Sequence, residues 1–280
     1  MRILVTGAGG MLGHDVVRAA EQAGHEVLTR RRPELDVTDA PAVLAALQAE
    51  PVEAVVNCAA WTDVDGAEEH EPAATLVNGE GAGNVAAAAA SVGARLVHVS
   101  TDYVFDGAAT EPYVESSQVG PLSAYGRSKL AGERAVAERL EDQVTVRASW
   151  LFGVDGPNFV ATMLRLAGER DEVTVVDDQV GCPTYCGHLA TMLIDLAGRD
   201  ERGVVHAGGP EACSWWEFAG EVFARAGTGT TVNRGRTADL GRPAPRPAFS
   251  VLRSERTGAP VLPPWREGLA AYLSRSTVHS

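Results

Sequence analysis

The 280-residue sequence predicts an α/β protein with a doubly wound parallel sheet and a smaller C-terminal lobe. Three observations support this fold class. Over the first 150 residues, short apolar segments alternate with helical patterns, as in βαβ units. Hydrophobic residues make up 45% of the chain and 30 residues are glycine, which allows a large core and many tight turns. Beyond residue 150 the alternation becomes less regular, which predicts the smaller lobe.

Within the first 150 residues, apolar segments bounded by turn residues predict strands, and longer segments of helix-forming residues predict helices. The predicted strands are 2–6, 26–29, 54–57, 95–100 and 144–147, and the predicted helices are 12–23, 40–49, 73–91 and 122–140. The run of alanines at 86–90 favours a helix that packs closely on a sheet.

The remaining residues predict further elements in a less regular order. Helices are predicted at 158–167, 186–196, 214–226 and 265–273, and strands at 173–176 and 204–207. These elements predict a second lobe, residues 151–280, that is interleaved with residues 1–150 and encloses a cleft with them.

A glycine-rich turn, Gly7-Ala8-Gly9-Gly10-Met11-Leu12-Gly13, follows the first predicted strand. Glycines at 7, 10 and 13 permit a sharp turn, close approach of a pyrophosphate, and a helix packed tightly on its strand. Met11 and Leu12 begin that helix, whose N-terminus is expected to face the phosphates. The motif predicts that residues 1–150 form a Rossmann-like dinucleotide-binding domain, although an isolated glycine turn is equally typical of an ordinary tight turn.

A second pattern, Tyr125-Gly126-Arg127-Ser128-Lys129, lies in the predicted helix 122–140. Tyr125 and Lys129 are four residues apart and therefore share one helix face. An ammonium near a phenol favours the phenolate, and it can also bond the ribose hydroxyls of a cofactor. With Thr101 at the end of a strand between the two patterns, the chain resembles the extended short-chain dehydrogenase/reductase superfamily.

The end of the second predicted strand indicates the preferred nicotinamide cofactor. An acidic residue there binds the ribose 2′-hydroxyl of NAD, whereas arginine accepts the 2′-phosphate of NADP. This chain has Arg30-Arg31-Arg32 and no carboxylate before Glu34. We therefore predict NADPH bound by Arg30, with NADH as the alternative cofactor and a solvated basic turn as the structural alternative. Further cofactor contacts are expected at Asp36, Val37, Ala59 and Ala60, with the start of the next helical segment as the alternative role of Asp36.

The segment 100–107 resembles the dTDP-4-dehydrorhamnose reductase family, and segments 59–65, 147–153 and 178–184 agree with it. The resemblance covers nearly the whole chain. It implies NADPH-dependent reduction of the 4-keto group of dTDP-4-dehydro-6-deoxy-L-mannose (dTDP-4-dehydrorhamnose) to dTDP-L-rhamnose, with residues 151–280 mainly binding the substrate. Related dehydratases carry Thr-Asp-Glu where this chain has Thr101-Asp102-Tyr103, so elimination lacks its base and reduction fits better.

The resemblance also implies a role for each site residue. Tyr125 protonates the alkoxide formed by hydride transfer, Lys129 keeps the phenol acidic and holds the nicotinamide ribose, and Thr101 orients the keto oxygen. The residues expected to contact the sugar nucleotide are Thr62, Val64, Thr101, Asp102, Tyr103 and Trp150. For Trp150, a core position at a strand end is an equal alternative.

Two other functions stay open at this stage: a reductase of a different dTDP-4-keto-deoxysugar, and a non-catalytic regulatory subunit like the β subunit of methionine adenosyltransferase, which resembles this family. Arg246 is expected either to hold a diphosphate oxygen or to be a surface charge. By resemblance we expect a homodimer. Some relatives hold Mg²⁺ at a dimer interface through carboxylates, but the single counterpart here, Asp15, does not support a metal site.

Composition excludes several classes of partner. The formal net charge of −13 argues against nucleic acids and anionic membrane surfaces. No segment reaches the roughly 18 apolar residues of a membrane span, and we expect a cytoplasmic protein. The four cysteines, Cys58, Cys182, Cys186 and Cys213, are few and scattered, as in a reducing compartment. The spacing of Cys182 and Cys186 does not match zinc or thioredoxin motifs, so two unpaired thiols in a loop are expected.

Overall fold

A computed structural model describes the fold of residues 1–276. Its strands are β1 (Arg2–Thr6), β2 (Glu26–Arg30), β3 (Ala54–Asn57), β4 (Arg95–Thr101), β5 (Gln143–Ala148), β6 (Leu151–Phe152), β7 (Glu172–Val176), β8 (Val180–Gly181), β9 (Thr184–Tyr185), β10 (Gly203–His206), β11 (Cys213–Ser214) and β12 (Thr231–Gly235). Its α-helices are α1 (Met11–Gln22), α2 (Ala40–Gln48), α3 (Val64–Glu69), α4 (Glu71–Thr75), α5 (Ala82–Val92), α6 (Ala124–Arg139), α7 (Phe159–Ala167), α8 (Cys186–Ala197), α9 (Trp215–Ala226) and α10 (Trp265–Ser276).

Six parallel strands form the main sheet in the order β2-β1-β3-β4-β5-β10. Because β1 pairs with β2 on one side and with β3 on the other, the direction of winding reverses between β1 and β3. Ligands of doubly wound sheets bind outside the carboxyl ends of the strands at such a switch point. The predicted α/β class with a Rossmann-like, doubly wound parallel sheet is confirmed.

Helices cover both faces of the main sheet. On one face α1 and α8 pack together around Val16 and Leu193, and on the other α2, α5 and α6 pack around Val43 and Val85. The central strands are buried on both faces, which explains their continuous apolar sequences. No helix in residues 1–276 has both the length and the apolar character required to cross a bilayer.

Beyond residue 150 the chain contributes to two parts of the molecule. Helix α8 and strand β10 join the main sheet, whereas α7, α9 and α10 pack with β7 and β12 around Phe152, Phe218 and Leu269. Strand β12 was not predicted because its exposed Thr231, Asn233 and Arg234 leave little apolar pattern. Strands β6, β8, β9 and β11 were not predicted either, since they have only two residues each.

The predicted helix 73–91 is divided in the structure. Helix α4 ends at Thr75, a π-helical segment spans Leu76–Gly81, and α5 follows. Within the π-helical segment, the buried Asn78 side chain accepts a hydrogen bond from the Trp61 amide (2.8 Å) and donates to Ser128 Oγ (2.8 Å). A π-turn of this kind often marks a functional site, and here it connects the loop after β3 to helix α6.

Candidate active site

A cleft of about 1070 Å³ opens at the carboxyl ends of the main-sheet strands. Its lining includes nearly all of the site residues predicted from the sequence: Gly7, Gly10, Met11, Leu12, Gly13, Asp36, Val37, Ala59, Ala60, Thr62, Val64, Thr101, Asp102, Tyr103, Tyr125, Lys129 and Trp150. Arg30 and Arg246, which were also considered as ligand-binding residues, lie outside this lining. The sheet order explains the convergence, because these residues follow strands that end at the same edge.

The glycine turn fits a bound pyrophosphate because side chains have no room there. Gly7 has a φ of +64°, and a Cβ at this position would lie 2.6 Å from the Ala59 amide nitrogen. A Cβ at Gly13 would lie 2.2 Å from the Gly7 carbonyl oxygen. The turn therefore packs against the end of β3 at the switch point. It leads into α1 at Met11, and the free amides of that first turn line the cleft and suit an anion.

In the basic turn after β2, Arg31 and Arg32 line the cleft, and Arg30 does not. A Cβ at Gly9 would lie 3.4 Å from Arg31 Cγ, so the Arg31 side chain lies against the glycine turn. Arg30 Nη1 instead donates to the Thr29 carbonyl (2.9 Å). Consecutive residues of an extended segment point in different directions, so three adjacent arginines in a sequence do not show which one faces a ligand.

Asp36 lies at the exposed rim of the cleft and stabilises the local turn. Its Oδ1 accepts hydrogen bonds from the Thr38 amide (2.9 Å) and the Thr38 hydroxyl (2.8 Å), and these bonds lower the pKa of the carboxyl group. The N-cap of α2 is Asp39, which accepts a bond from the Ala42 amide (3.0 Å). Asp36 therefore orders the connection that carries Val37 to the cleft wall.

Tyr125 lies in the first turn of α6. Ser123 caps this helix by accepting a hydrogen bond from the Gly126 amide (3.1 Å), which holds the turn in place. Burial raises the pKa of the Tyr125 phenol to about 12, and the nearby Thr101 hydroxyl partly offsets this effect. The sequence led us to expect Lys129 to make this phenol more acidic, but its pKa is raised, because burial and the charge of Asp102 both favour the neutral phenol. A phenol with this pKa is protonated at neutral pH.

Lys129 is buried, with 3% of its surface exposed, and its Nζ donates to the Val99 carbonyl (2.7 Å). Burial lowers its pKa to about 8, and the charge of Glu133 partly offsets this effect. Glu133 in turn accepts from Ser100 Oγ (2.6 Å) and forms a buried bidentate pair with Arg147 (2.9 and 2.7 Å). These contacts connect β4, β5 and α6 behind the cleft and hold Lys129 in position.

Asp102 and Tyr103 follow Thr101 at the end of β4. Asp102 is 2% exposed, and burial raises its pKa to about 6, although hydrogen bonds to the carboxylate, including one from the Thr101 hydroxyl (3.0 Å), partly offset the effect. The Tyr103 ring meets the Tyr125 ring edge-on, with 5.8 Å between centroids, and burial also raises the Tyr103 pKa. The cleft therefore combines a titratable carboxyl group with two neutral phenols.

Arg246 forms a bidentate ion pair with Asp65 of α3, with both N–O distances 2.9 Å. Arg242 contacts the same carboxylate at 3.3 Å. Only 11% of the Arg246 side chain is exposed, which argues against a solvated surface charge. The pair connects α3 with the Pro/Arg-rich segment of the second half of the chain. A contact of Arg246 with a diphosphate stays a prediction.

Trp150 lines the cleft with its backbone in the left-handed region, at φ +51°. It is the one residue other than glycine with a positive φ in residues 1–276. Its indole stacks on Trp215, with 3.6 Å between ring centroids and 7° between planes. Both side chains are half-buried and line the cleft, so the alternative of a core position for Trp150 is not supported.

The remaining polar candidates have local partners. Asp15 is buried in α1 and accepts hydrogen bonds from Arg18 (2.7 Å) and Arg275 (2.9 Å). Across residues 1–276, no cluster of three or more His, Cys, Asp or Glu side chains is arranged to hold a metal ion. All four cysteines are free thiols, and Cys186 begins α8 instead of lying in a loop as expected.

A glycine turn at the switch point and a tyrosine–lysine pair in the same cleft place the chain in the class of short-chain dehydrogenase/reductase proteins. Comparison with known families narrows this class. The model of the family described as "RmlD substrate binding domain" matches residues 1–278. The chain belongs to this family.

Named relatives and solved structures agree with the assignment. The chain is 45% identical to a dTDP-4-dehydrorhamnose reductase from Streptomyces griseus, over 96% of this chain and 91% of that protein. It is 42% identical to a dTDP-4-keto-6-deoxy-D-glucose reductase from Streptomyces niveus, over 91% of this chain and 85% of the relative. A Bacillus anthracis dTDP-4-dehydrorhamnose reductase in complex with NADP superimposes with a TM-score of 0.95, at 38% identity, covering 98% of this chain and 99% of the other.

Sequence reasoning missed several residues of the cleft and its supports, in particular Arg31, Asn78, Phe159, Gln179 and Trp215. An asparagine within a helical pattern was the available signal for Asn78, because this residue type disfavours helix interiors. For Trp215, the signal was a tryptophan at the first position of a helix. The capping box formed by Ser214 and Glu217 marks where that helix begins.

Proposed function

We propose that the protein reduces the 4-keto group of dTDP-4-dehydro-6-deoxy-L-mannose to form dTDP-L-rhamnose, with NADPH as the reductant. The observation that carries this proposal is the convergence of Thr101, Tyr125 and Lys129 in the cleft that also contains the glycine turn. The name of the S. griseus relative supports the substrate, and the B. anthracis complex supports the cofactor.

Tyr125 is the proton donor in this proposal. Reduction of a ketone requires a hydride, which the reduced nicotinamide supplies when bound, and a proton for the oxygen. Because burial holds the Tyr125 pKa at about 12, the phenol keeps its proton until a strong base such as an alkoxide develops beside it. The adjacent Thr101 hydroxyl bonds the same substrate oxygen and orients it for the transfer.

Lys129 stabilises the charge that remains after this transfer. A buried phenolate is costly without a nearby cation, and Lys129 lies one helical turn from Tyr125 on the same cleft wall. Its bond to the Val99 carbonyl holds the ammonium at the sheet edge, where we also expect it to bind the ribose of the cofactor.

The cofactor lies along the glycine turn in this proposal, with its diphosphate at the N-terminus of α1. Arg31 and Arg32 line the adjacent wall and would bind the 2′-phosphate, which favours NADPH, with NADH as the alternative. Thr62, Val64, Asp102, Tyr103 and Trp150 are assigned to the sugar nucleotide. Residues 151–280 bind mainly substrate, because they supply Trp215 and Phe159 to the cleft.

A second candidate is a reductase of another dTDP-4-keto-deoxysugar. It is favoured by the 42% identity with the S. niveus protein, whose name specifies a D-glucose derivative. The same catalytic residues would serve either substrate. A homodimer and a cytoplasmic location stay predictions.

The experiment that tests the proposal measures NADPH oxidation with dTDP-4-dehydrorhamnose generated in situ from dTDP-glucose by a dehydratase and an epimerase. Tyr125→Phe should lower kcat by about 100-fold or more, since general acid catalysis contributes about 10²–10⁴-fold, and should leave NADPH affinity within about twofold. Tyr113→Phe is the matched control, because this tyrosine bonds Asp106 (2.6 Å) outside the cleft lining.

The outcomes separate the candidates. Turnover only with another dTDP-4-keto sugar would support the second candidate. If no keto sugar is reduced although NADPH binds, and the protein binds tightly to a partner enzyme, the regulatory-subunit alternative replaces both. Unchanged turnover in Tyr125→Phe would contradict the role of the phenol.

A further inference from the structure

Trp150 occupies a backbone conformation that its own side chain disfavours. A bulky residue at positive φ is an outlier, and it persists only where neighbouring contacts hold it. The residue lies two positions after Ala148, which pairs with Thr101 in the main sheet. The Trp150 ring is therefore held beside the end of the strand that carries the proposed catalytic threonine.

Two neighbours determine where the Trp150 ring lies. Trp215 covers one face in a nearly parallel stack with centroids 3.6 Å apart. A Cβ at Gly181 would lie 2.5 Å from Trp150 Cε2, so only glycine leaves room for the indole there. Aromatic pairs prefer offset or edge-to-face geometry, so a full-face stack needs support from its surroundings.

That support comes from the second half of the chain. Trp215 is the first residue of α9, whose start is fixed by the capping box of Ser214 and Glu217. Its Nε1 donates to Gln179 Oε1 (3.2 Å), and the buried Gln179 donates from Nε2 to Thr237 Oγ1 (2.9 Å). The polar atom of the Trp215 ring is thereby satisfied within the protein, so the stack adds an apolar surface to the cleft.

We propose that Trp215 is a positioning residue for the sugar: it holds Trp150 so that the stacked indoles form an apolar wall for the C–H face and the methyl group of a 6-deoxy sugar. This inference rests on the proposed function and deepens it by naming the residue that supports sugar binding. A 6-hydroxyl placed against the same wall would lose its hydrogen bonds to water, which disfavours 6-hydroxy sugars.

The contact involves a part of the substrate that does not react. It is made equally in the ground state and in the transition state, so its loss should raise KM and leave kcat unchanged. A variant that merely disturbed the fold or the cofactor site would instead lower kcat or weaken NADPH binding.

The experiment compares Trp215→Leu, Trp215→Phe and Trp216→Leu with the wild type. Trp216 is the matched control: it donates to the Val232 carbonyl (2.9 Å), stacks under Arg234 and does not line the cleft. The measurements are kcat and KM for the keto sugar at saturating NADPH, NADPH affinity, and the far-UV circular dichroism couplet that two stacked indoles produce.

Trp215→Leu should lose the couplet and raise KM by about three- to tenfold, with kcat and NADPH affinity within about twofold. Trp215→Phe keeps a ring against Trp150 and should raise KM by less than about threefold. Trp216→Leu should keep the couplet and the wild-type KM. Rescue by phenylalanine is a result that a purely structural role would not produce.

Two results would overturn the inference: a couplet of wild-type strength in Trp215→Leu, or a wild-type KM in that variant despite loss of the couplet. Equal effects of Trp215→Leu and Trp216→Leu would also overturn it. If the proposed function is wrong, the wild type will show no turnover of the keto sugar. The circular dichroism couplet needs no substrate, so it tests the stack of Trp150 and Trp215 independently of that result.

Discussion

Replacing Asp102 with asparagine should remove a loss of stability that the wild type shows as the pH rises from about 4 to about 6. Burial raises the Asp102 pKa from its ordinary value of 3.8 to about 6. Between these two pH values the folded chain keeps a proton that the unfolded chain has released, so stability falls as the pH rises through this window. The difference of about two pKa units corresponds to about 3 kcal/mol at 1.36 kcal/mol per unit. An asparagine side chain has nearly the same shape as that of aspartic acid and carries no charge, so this loss should be absent from the variant.

Urea unfolding measured between about pH 4 and about pH 7.5 checks this prediction, because the linear dependence on urea yields the free energy of unfolding at each pH. The free energy of Asp102→Asn relative to wild type should increase by about 3 kcal/mol across the range. Asp106→Asn is the control, because the Tyr113 hydroxyl lowers the pKa of this exposed carboxyl group below its ordinary value of 3.8. Its linkage to pH therefore lies below the measured range, and its curve should run parallel to that of the wild type. Parallel pH curves for wild type and Asp102→Asn would refute the reasoning.

Two further predictions concern the cofactor and the lysine. Arg31→Ala should weaken NADPH binding by about tenfold and NADH binding by less than about twofold, because it removes one charge-assisted hydrogen bond to the 2′-phosphate. Arg30→Ala should change the affinity for either cofactor little. Calorimetry with both cofactors checks this, and equal losses of NADPH and NADH affinity in Arg31→Ala would contradict the 2′-phosphate assignment. kcat should fall as the pH rises through about 8, where Lys129 loses its proton, and a flat pH–rate profile across that pH would contradict its role. The lowered Lys129 pKa also means that stability rises with pH between about 8 and 10.5, because the unfolded chain binds the proton more tightly.

Much of the fold and part of the cleft could be predicted from local patterns. Strands 2–6 and 54–57 were predicted with their observed bounds because buried parallel strands are continuous apolar segments between turn residues. The glycine spacing predicted the turn at the switch point, where a Cβ at Gly7 or Gly13 would collide with backbone atoms. The four-residue interval between Tyr125 and Lys129 predicted a shared helix face, and both line the cleft.

Other features depend on contacts between distant segments and have no local pattern. The interruption of the helix at Leu76–Gly81 places Asn78 between Trp61 and Ser128, which lie 17 and 50 residues away. The pKa of Tyr125 was expected to be lowered by the nearby Lys129 ammonium. It is raised instead, because the elements packed around Tyr125 bury the phenol.

The sequence by itself determined the class of fold, the dinucleotide turn and the shared helix face of Tyr125 and Lys129, because periodicity and glycine positions act over a few residues. The residues expected to contact the sugar nucleotide came from the family resemblance. Only the tertiary structure decided which arginine lines the cleft, that Arg246 pairs with Asp65, and that Trp215 stacks on Trp150. These choices depend on side-chain directions and on the packing of segments far apart in the chain, and packing at that distance leaves no periodic signal in the amino-acid order.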